Sequence, residues 1–371
     1  MYNTPISGVD IELDIDSEKN VLILTGANGS GKSRTIGVLL ESLSMLRDVD
    51  HDVTSYDWIM EAVFDGGIAV RALKMSSKSQ HNAEMKGQVE QAFTRASSLK
   101  EAYDSVQQVI ANHASNGIFK TKDDGDGRGF GTLAISSRSM EQSEEFANNS
   151  EVVAFIDSEI YFSPEREVAE SVMKEHGGID QTLYTLFYEH AVRLAENPTT
   201  FDQLYTLLKE FEKNGGSKDD REGAKNYVKS RIDPEVVRDT VSAFEKTEAF
   251  VELNKFFALT NRQIKWSNKH AVMLLENGDE VSWIEFSKGE KTLLALLLIV
   301  HLYKDNALFI FDEPDLSLHM EWQRMLIPAL VRLAPNSQFI ISTHSPFMVM
   351  NTDREQIVNM VNFHRAASSR G

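Results

Sequence analysis

Apolar residues along this chain change rhythm several times. GVDIELDI and NVLIL, within residues 8–25, are short runs of strand character around the polar stretch DSEKN. The spacing then becomes helical, with Ile36, Leu39, Leu40 and Leu43 on one face. YDWIMEAVFDGGIAVRALKM returns to strand character and turns at Gly66-Gly67, the pattern of a hairpin. Residues 82–115 are polar and helical in character, and TKDDGDGRGFG, residues 121–131, reads as a loop. VVAFIDSEIYF reads as a strand, and Ser163-Pro164 as the cap and first residue of a helix. Two amphipathic helices are predicted next, one carrying Leu183, Leu186, Phe187, His190 and Leu194, the other Leu204, Leu207, Leu208 and Phe211. The second stops at Gly215-Gly216, and a further helix begins near Pro234. His190, alone on an apolar face, reads as a packed core residue rather than a ligand.

From about residue 268 strand and core character return. HAVMLLENGDEVSWIEF has the form of a hairpin turning at Asn277-Gly278. LLALLLIVHL, residues 293–302, is about half a membrane span and reads as a buried core helix. ALFIFDEPD and NSQFIISTHSP are strands with continuous apolar runs, which belong to a parallel sheet covered on both faces. The expected fold class is therefore α/β, with a mostly parallel central sheet. Residues 1–75 and 268–371 would form one head, and 76–267 a mostly helical insertion.

Composition narrows the chemistry. Net charge is -18, which disfavours a surface coated in nucleic acid, since phosphate binding needs clustered Lys and Arg. The absence of cysteine excludes disulfides, thiolate zinc sites and a cysteine nucleophile. The amino terminus, MYNTPISGVD, lacks a basic-then-apolar signal pattern, so a cytoplasmic protein without a membrane partner is expected. Asp124 and Asp126 resemble the start of a calcium loop, but no glutamate stands at the twelfth position.

The chemistry gathers at a few strand ends. GANGSGKS, Gly26 to Ser33, fits G-x-x-x-x-G-K-[ST] between a strand and a helix. Its glycines, Gly26, Gly29 and Gly31, let the backbone wrap close to phosphate oxygens, and the following helix adds its positive end. Lys32 would meet the β- and γ-phosphates, and Ser33 would offer a hydroxyl to Mg²⁺. Asn28 within the loop and Arg34 just after it are counted with the nucleotide contacts. In ALFIFDEP, Asp312 would hold Mg²⁺ and Glu313 would polarise the attacking water; an acidic strand end can also cap a neighbouring helix. His344, ending FIISTH, can reach a γ-phosphate or serve as a structural hydrogen-bonding residue. FSKGEK places Ser287 and Gly289 before a long apolar helix, again an anion-binding geometry. Since one phosphate loop is already present, a second γ-phosphate binder makes sense if it serves a nucleotide held by another copy.

This order of motifs resembles an ABC-type ATPase head. GANGSGKS looks like the Walker A, FSKGEK the signature motif, IFDEP the Walker B, DLSLH the D-loop and STHSP the switch-histidine strand. The spelling DEPDLSLH is similar to the SMC, RecF and OLD group, many of whose members, the PtuA-like ones included, are ATPase components of bacterial anti-phage systems. The resemblance implies an ABC-type P-loop head with an inserted helical lobe, binding ATP and Mg²⁺. Two heads would sandwich ATP as a homodimer, with higher oligomers compatible. Lys32 and Ser33 of one copy would face Ser287, Gly289 and Glu290 of the other, Glu313 would act as general base, and His344 would be the switch histidine. Lys288 departs from the usual glycine of the signature, and Glu290 stands where transporters commonly have Gln. The function implied is a sensor or regulatory switch with a separate effector, a nuclease or toxin, and nucleic acid reached through that complex. The alternative is an SMC- or RecF-like repair or chromosome-maintenance ATPase acting directly on DNA.

Overall fold

The computed structural model describes residues 11, 13, 20–47, 54, 58–75, 83–115, 130–156, 159–162, 178–195, 206–207, 209–215, 221–231, 246–267, 270–305, 307–350 and 352–362. The expected strand over GVDIELDI apart from Ile11 and Leu13, the Asp124/Asp126 loop, and the helices from Ser163-Pro164 and near Pro234 lie outside them.

The chain opens with β1 (Val21–Thr25) and α1 (Lys32–Ser44), then the hairpin of β2 (Trp58–Phe64) and β3 (Ile68–Met75). Helices α2 (Ala83–Arg95) and α3 (Leu99–Ser115), strand β4 (Phe130–Ser136) and helix α4 (Met140–Asn149) follow, then β5 (Glu151–Ile156) and β6 (Glu159–Phe162). Next come α5 (Ile179–Ala195), α6 (Arg221–Arg231), α7 (Glu248–Phe257), β7 (Gln263–Ser267), β8 (His270–Leu274), β9 (Glu280–Ser282) and α8 (Lys288–Leu302). The last described elements are β10 (Ala307–Asp312), α9 (Met320–Leu333), β11 (Gln338–Ser342), the single turn α10 (Pro346–Val349) and β12 (Ile357–Asn359).

Two compact units divide the chain: 1–165 with 305–315 and 335–371, and 166–304 with 316–334. This cut differs from the head-and-insertion boundaries expected from sequence. β5, in the stretch expected to be inserted, belongs to the first unit because it pairs in parallel with β10 along Ala307↔Glu151 to Phe311↔Phe155, whereas 268–304 and 316–334 fall in the second.

The first unit is built on a six-stranded sheet ordered β12-β1-β11-β10-β5-β6. All neighbours are parallel except β6, which runs antiparallel to β5 at the edge. Its strands are continuous apolar runs because both faces are covered: Ile23, Leu24, Phe309, Phe311, Phe339 and Ile341 are fully buried. Phe309 and Phe339 stack with ring centroids 5.0 Å apart, fixing β10 against β11. A separate antiparallel sheet, β2-β3-β4, belongs to the same unit, and Gly66-Gly67 form the β2–β3 turn with φ of 83° and 79°.

Helix α1 is tied to the hairpin by a buried charge. Glu41, 2% exposed, accepts from the Thr54 N–H, from Thr54 Oγ1 at 2.6 Å, from Trp58 Nε1 at 2.7 Å and from Lys74 Nζ at 3.0 Å. A charge that deep is tolerated only when paired and fully hydrogen-bonded. This network sets the pose of the helix whose first residues are Lys32 and Ser33.

The second unit is held by the apolar helix α8, in which Leu293–Val300 are fully buried. No described helix is long and apolar enough to cross a membrane. The Asn277-Gly278 turn joins β8 to β9, and β7 extends that hairpin to three strands. On α5, His190 is 2% exposed and its ring packs edge-on against His301 of α8 at 5.5 Å.

Two stability predictions follow from these buried groups. Glu41→Ala leaves the buried Lys74 ammonium without its carboxylate counter-charge and lowers unfolding free energy by about 3 kcal/mol, measurable by urea denaturation. Burial, reinforced by His301 and Arg193, pushes the His190 imidazole down to about 3. The unfolded chain therefore binds a proton near the ordinary value of 6.5 that the folded chain refuses until about pH 3. Stability from neutral His190 is complete above pH 6.5 and declines as pH falls toward 3, by about 2 kcal/mol at pH 5 for this group alone. His190→Phe should lose less stability than the wild type between pH 7.5 and pH 5 in thermal melts.

Candidate functional site

In the first unit, β1, β11 and β10 lie side by side and end at one level: Leu24 opposes Ser342, and Ser342 opposes Asp312. The carboxyl edge of a parallel sheet is where α/β folds bind ligands. β1 runs into the glycine loop, β10 into Asp312 and Glu313, and β11 into His344. The parallel register of three strands thus brings Lys32, Ser33, Asp312, Glu313 and His344 together from segments 279 to 312 residues apart in sequence.

The loop closes on itself through the Ser30 N–H to the Ala27 carbonyl at 3.1 Å. Gly26, Gly29 and Gly31 have φ of 140°, 77° and 91°, which side-chain-bearing residues rarely adopt. Gly31 caps α1 with no side chain, and no acid occupies the first turn. The leading N–H groups of α1 therefore have no side-chain cap and no acid of the helix's own first turn beside them, which leaves them open to an anion. Lys32 is 4% exposed, and its Nζ donates to the Gly26 carbonyl at 3.2 Å. Burial lowers its pKa, while Glu313 and Asp312 pull it the other way. Asn28 and Gly29 in the loop and Ser33 and Arg34 in the first turn of α1 are exposed.

Ser33 Oγ donates to Asp312 Oδ1 at 3.2 Å, and Ser342 Oγ makes a short hydrogen bond to the same oxygen. A hydroxyl and a carboxylate so placed fit Mg²⁺, which takes one or two protein ligands and completes its shell with phosphate and water. Among the described residues no cluster of three or more carboxylates or histidines forms an all-protein cage. A buried lysine, an uncapped helix start and this pair together fit a triphosphate with its magnesium.

Glu313 sits in the left-handed region at φ 46°, which costs a non-glycine residue about 1–3 kcal/mol. Its N–H donates to the Ser342 carbonyl at 3.1 Å and to Ser342 Oγ at 3.0 Å, and these bonds hold the strained turn. His344 Nε2 lies 2.7 Å from Lys32 Nζ and 3.1 Å from Glu313 Oε1. An unprotonated Nε2 accepts from the ammonium; a protonated one donates to the carboxylate. The two arrangements are mutually exclusive. Ser342 was not picked out from sequence, although it stands in STHSP, because nothing in the spelling shows that one serine contacts both acids. Asp315, 4% exposed, accepts from Thr343 Oγ1 at 2.8 Å, which in turn receives the Ser345 N–H at 2.9 Å, bracketing His344. Burial raises the Asp315 pKa, against the Thr343 hydrogen bond.

Ser287, Gly289 and Glu290 form a second group, in the other unit. Ser287 caps α8: its Oγ accepts from the Glu290 N–H, and Glu290 Oε2 accepts from the Ser287 N–H at 2.7 Å, a complete capping box. Glu290 is 8% exposed, and its other oxygen pairs with Arg262 at 2.5 Å, so both carboxylate oxygens are engaged within the chain. A Cβ on Gly289 would overlap the Ser317 carbonyl, so the close approach that requires glycine is made by this chain's own backbone.

With that geometry established, residues 131–350 match the family model described as "AAA domain, putative AbiEii toxin, Type IV TA system", and the chain belongs to this family. Its fold is of the α/β P-loop ATPase type. The retron Vc95 probable ATPase of Vibrio cholerae serotype O1 biovar El Tor is 30% identical over 46% of this chain and 32% of its own length. The Septu protein PtuA of Bacillus thuringiensis is 25% identical over 42% of this chain and 45% of its own length. The chain thus matches less than half the length of either relative. A crystal structure of the Smc head domain bound to the C-terminal domain of ScpA, from Pyrococcus furiosus, aligns over 95% of this chain and 94% of its own at 14% identity and a TM-score of 0.36.

Lys32→Ala removes the buried ammonium and should weaken ATP affinity by at least about tenfold, since a charge-assisted contact contributes about 1.5–3 kcal/mol. Titration with a fluorescent ATP analogue and Mg²⁺ measures this; unchanged affinity would contradict the placement of the phosphates at Lys32.

Proposed function

We propose that the protein is an ABC-type ATPase that binds and hydrolyses ATP with Mg²⁺, and that it works as the sensor or regulatory switch of a bacterial anti-phage complex with a separate effector. The observation that carries the enzymatic part is the convergence of Lys32, Ser33, Asp312, Glu313 and His344 at the carboxyl ends of three adjacent parallel strands. Lys32 and the start of α1 would bind the phosphates. Ser33 and Asp312 would hold Mg²⁺, which when bound neutralises phosphate charge and orients the terminal phosphoryl group. Glu313, pinned by two backbone hydrogen bonds, would orient the attacking water and take its proton at the carboxylate. His344 would exchange its contact with Lys32 for one with the terminal phosphate.

Ser287 would complete the site of a second copy. Support comes from its place at the start of α8 and from exposed apolar side chains nearby in sequence and space. Ile284 is 63% exposed three residues before Ser287, and Leu316 is 74% exposed beside Ser317, which touches Gly289. A homodimer closing on ATP would cover both. The defence role rests on similarity to the retron and Septu proteins; the net charge of -18 weighs against the DNA-acting alternative.

Glu313→Gln should lower the rate of phosphate release by about 10²–10⁴-fold while ATP binding persists, because only the proton acceptor is removed. Steady-state phosphate release alongside nucleotide binding checks it. Equal hydrolysis by the two proteins would remove Glu313 from the mechanism.

A further inference from the structure

Ser287 is the first link of a chain of contacts that ends on an arginine outside every motif. Its Oγ and N–H are both engaged by Glu290 in the capping box. Glu290 Oε2 serves the Ser287 N–H, and Glu290 Oε1 accepts from Arg262 Nη1 at 2.5 Å. Arg262 stands where the chain leaves α7. Asn261, in the left-handed region at φ 54°, turns the backbone, and the Arg262 N–H donates to the Phe257 carbonyl at 3.0 Å. The guanidinium also lies 3.7 Å from Met273 Sδ of β8, so its aim is set by α7 and the three-stranded sheet, not by α8 itself.

This arrangement has an electrostatic consequence. Glu290 stands in the first turn of α8, within hydrogen-bond reach of the residue expected to meet a phosphate. An unpaired carboxylate there would repel a triphosphate and would be free to leave the capping box. Paired with Arg262 it does neither. The Ser287 oxygen accepts the Glu290 N–H and its own hydrogen remains available to donate.

We infer that Arg262 is a positioning residue for the Ser287 face: it neutralises Glu290 and locks its carboxylate into the capping box, so that Ser287 presents its hydroxyl to the γ-phosphate carried by a second copy. This rests on the reading that Ser287 completes a partner's site. Arg262 touches no phosphate itself, and it leaves ATP binding at Lys32 unaffected.

The test uses the full chain in a Glu313→Gln background, with ATP and Mg²⁺, and follows dimerisation by sedimentation velocity beside ATP-analogue affinity. Arg262→Ala should weaken ATP-dependent dimerisation by ~5-fold or more while analogue affinity stays within about twofold of the parent, given that the pair is partly exposed. Adding Glu290→Gln should restore most of the dimer, because the amide oxygen still accepts and the charge is gone. Arg262→Lys should fall between, being cationic but unable to keep the planar fork. Ser287→Ala separates the two layers of the idea. If Ser287→Ala weakens the dimer and Arg262→Ala does not, the role of Arg262 is overturned and the reading of Ser287 stands. If neither does, the reading of Ser287 fails and takes the inference with it. An Arg262→Ala loss that Glu290→Gln leaves unrepaired, with unchanged thermal stability, also overturns the electrostatic role.

Discussion

The cluster of Lys32, Ser33, Asp312, Glu313 and His344 depends on β11 lying between β1 and β10 in parallel register. Ser342 is the hinge of that arrangement. It sits opposite Leu24 on one side and Asp312 on the other, so the loop, the acids and the histidine leave the sheet at one height. Its hydroxyl reaches Asp312 and, together with its carbonyl, receives the Glu313 N–H. A slip of one residue in either pairing would turn these side chains to the opposite face. The apolar content of the strands, the Phe309–Phe339 stack and the covering helices make the register stiff, and stiffness is what a cradle for charge requires.

Within that frame the site stores a choice rather than a finished geometry. Glu313 is held in a backbone conformation it would not adopt alone, and His344 Nε2 stands between an ammonium and a carboxylate. On the proposed reading, a phosphate oxygen arriving at Lys32 would compete with the imidazole for the same ammonium. Occupancy and the orientation of His344 would then be linked through one atom. Asp315 and Thr343 brace the backbone on either side of His344, so that side-chain motion there is not absorbed by the loop.

Much of this was legible in the sequence because strand-end chemistry is written in contiguous letters. GANGSGKS, IFDEP and STHSP each follow an apolar run with polar and charged residues, and pattern assigned those runs to a mostly parallel sheet without giving the strand order. What pattern could not show was long-range pairing and side-chain geometry. β5, Glu151–Ile156, carries an apolar run of about five residues amid polar, helical stretches, and its partnership with β10 depends on residues about 155 positions away. That both oxygens of Glu290 find partners within the fold is not written in FSKGEK. Nor is the Ser317 carbonyl that stands where a Cβ on Gly289 would be. Arg262 carries no signature at all, since its importance lies in one contact made across a turn.

The central claim is that Lys32 and Ser287 act on the same nucleotide from different copies of the chain. Mixing two inactive full-length proteins tests it most directly: Lys32→Ala, which cannot hold the phosphates, and Ser287→Arg, which blocks the opposing face. In a mixed dimer one composite site keeps both native residues, so ATP hydrolysis should return on mixing and rise with the proportion of heterodimer. Hydrolysis that stays at the level of the separate variants, with heterodimers demonstrably present, would contradict the account.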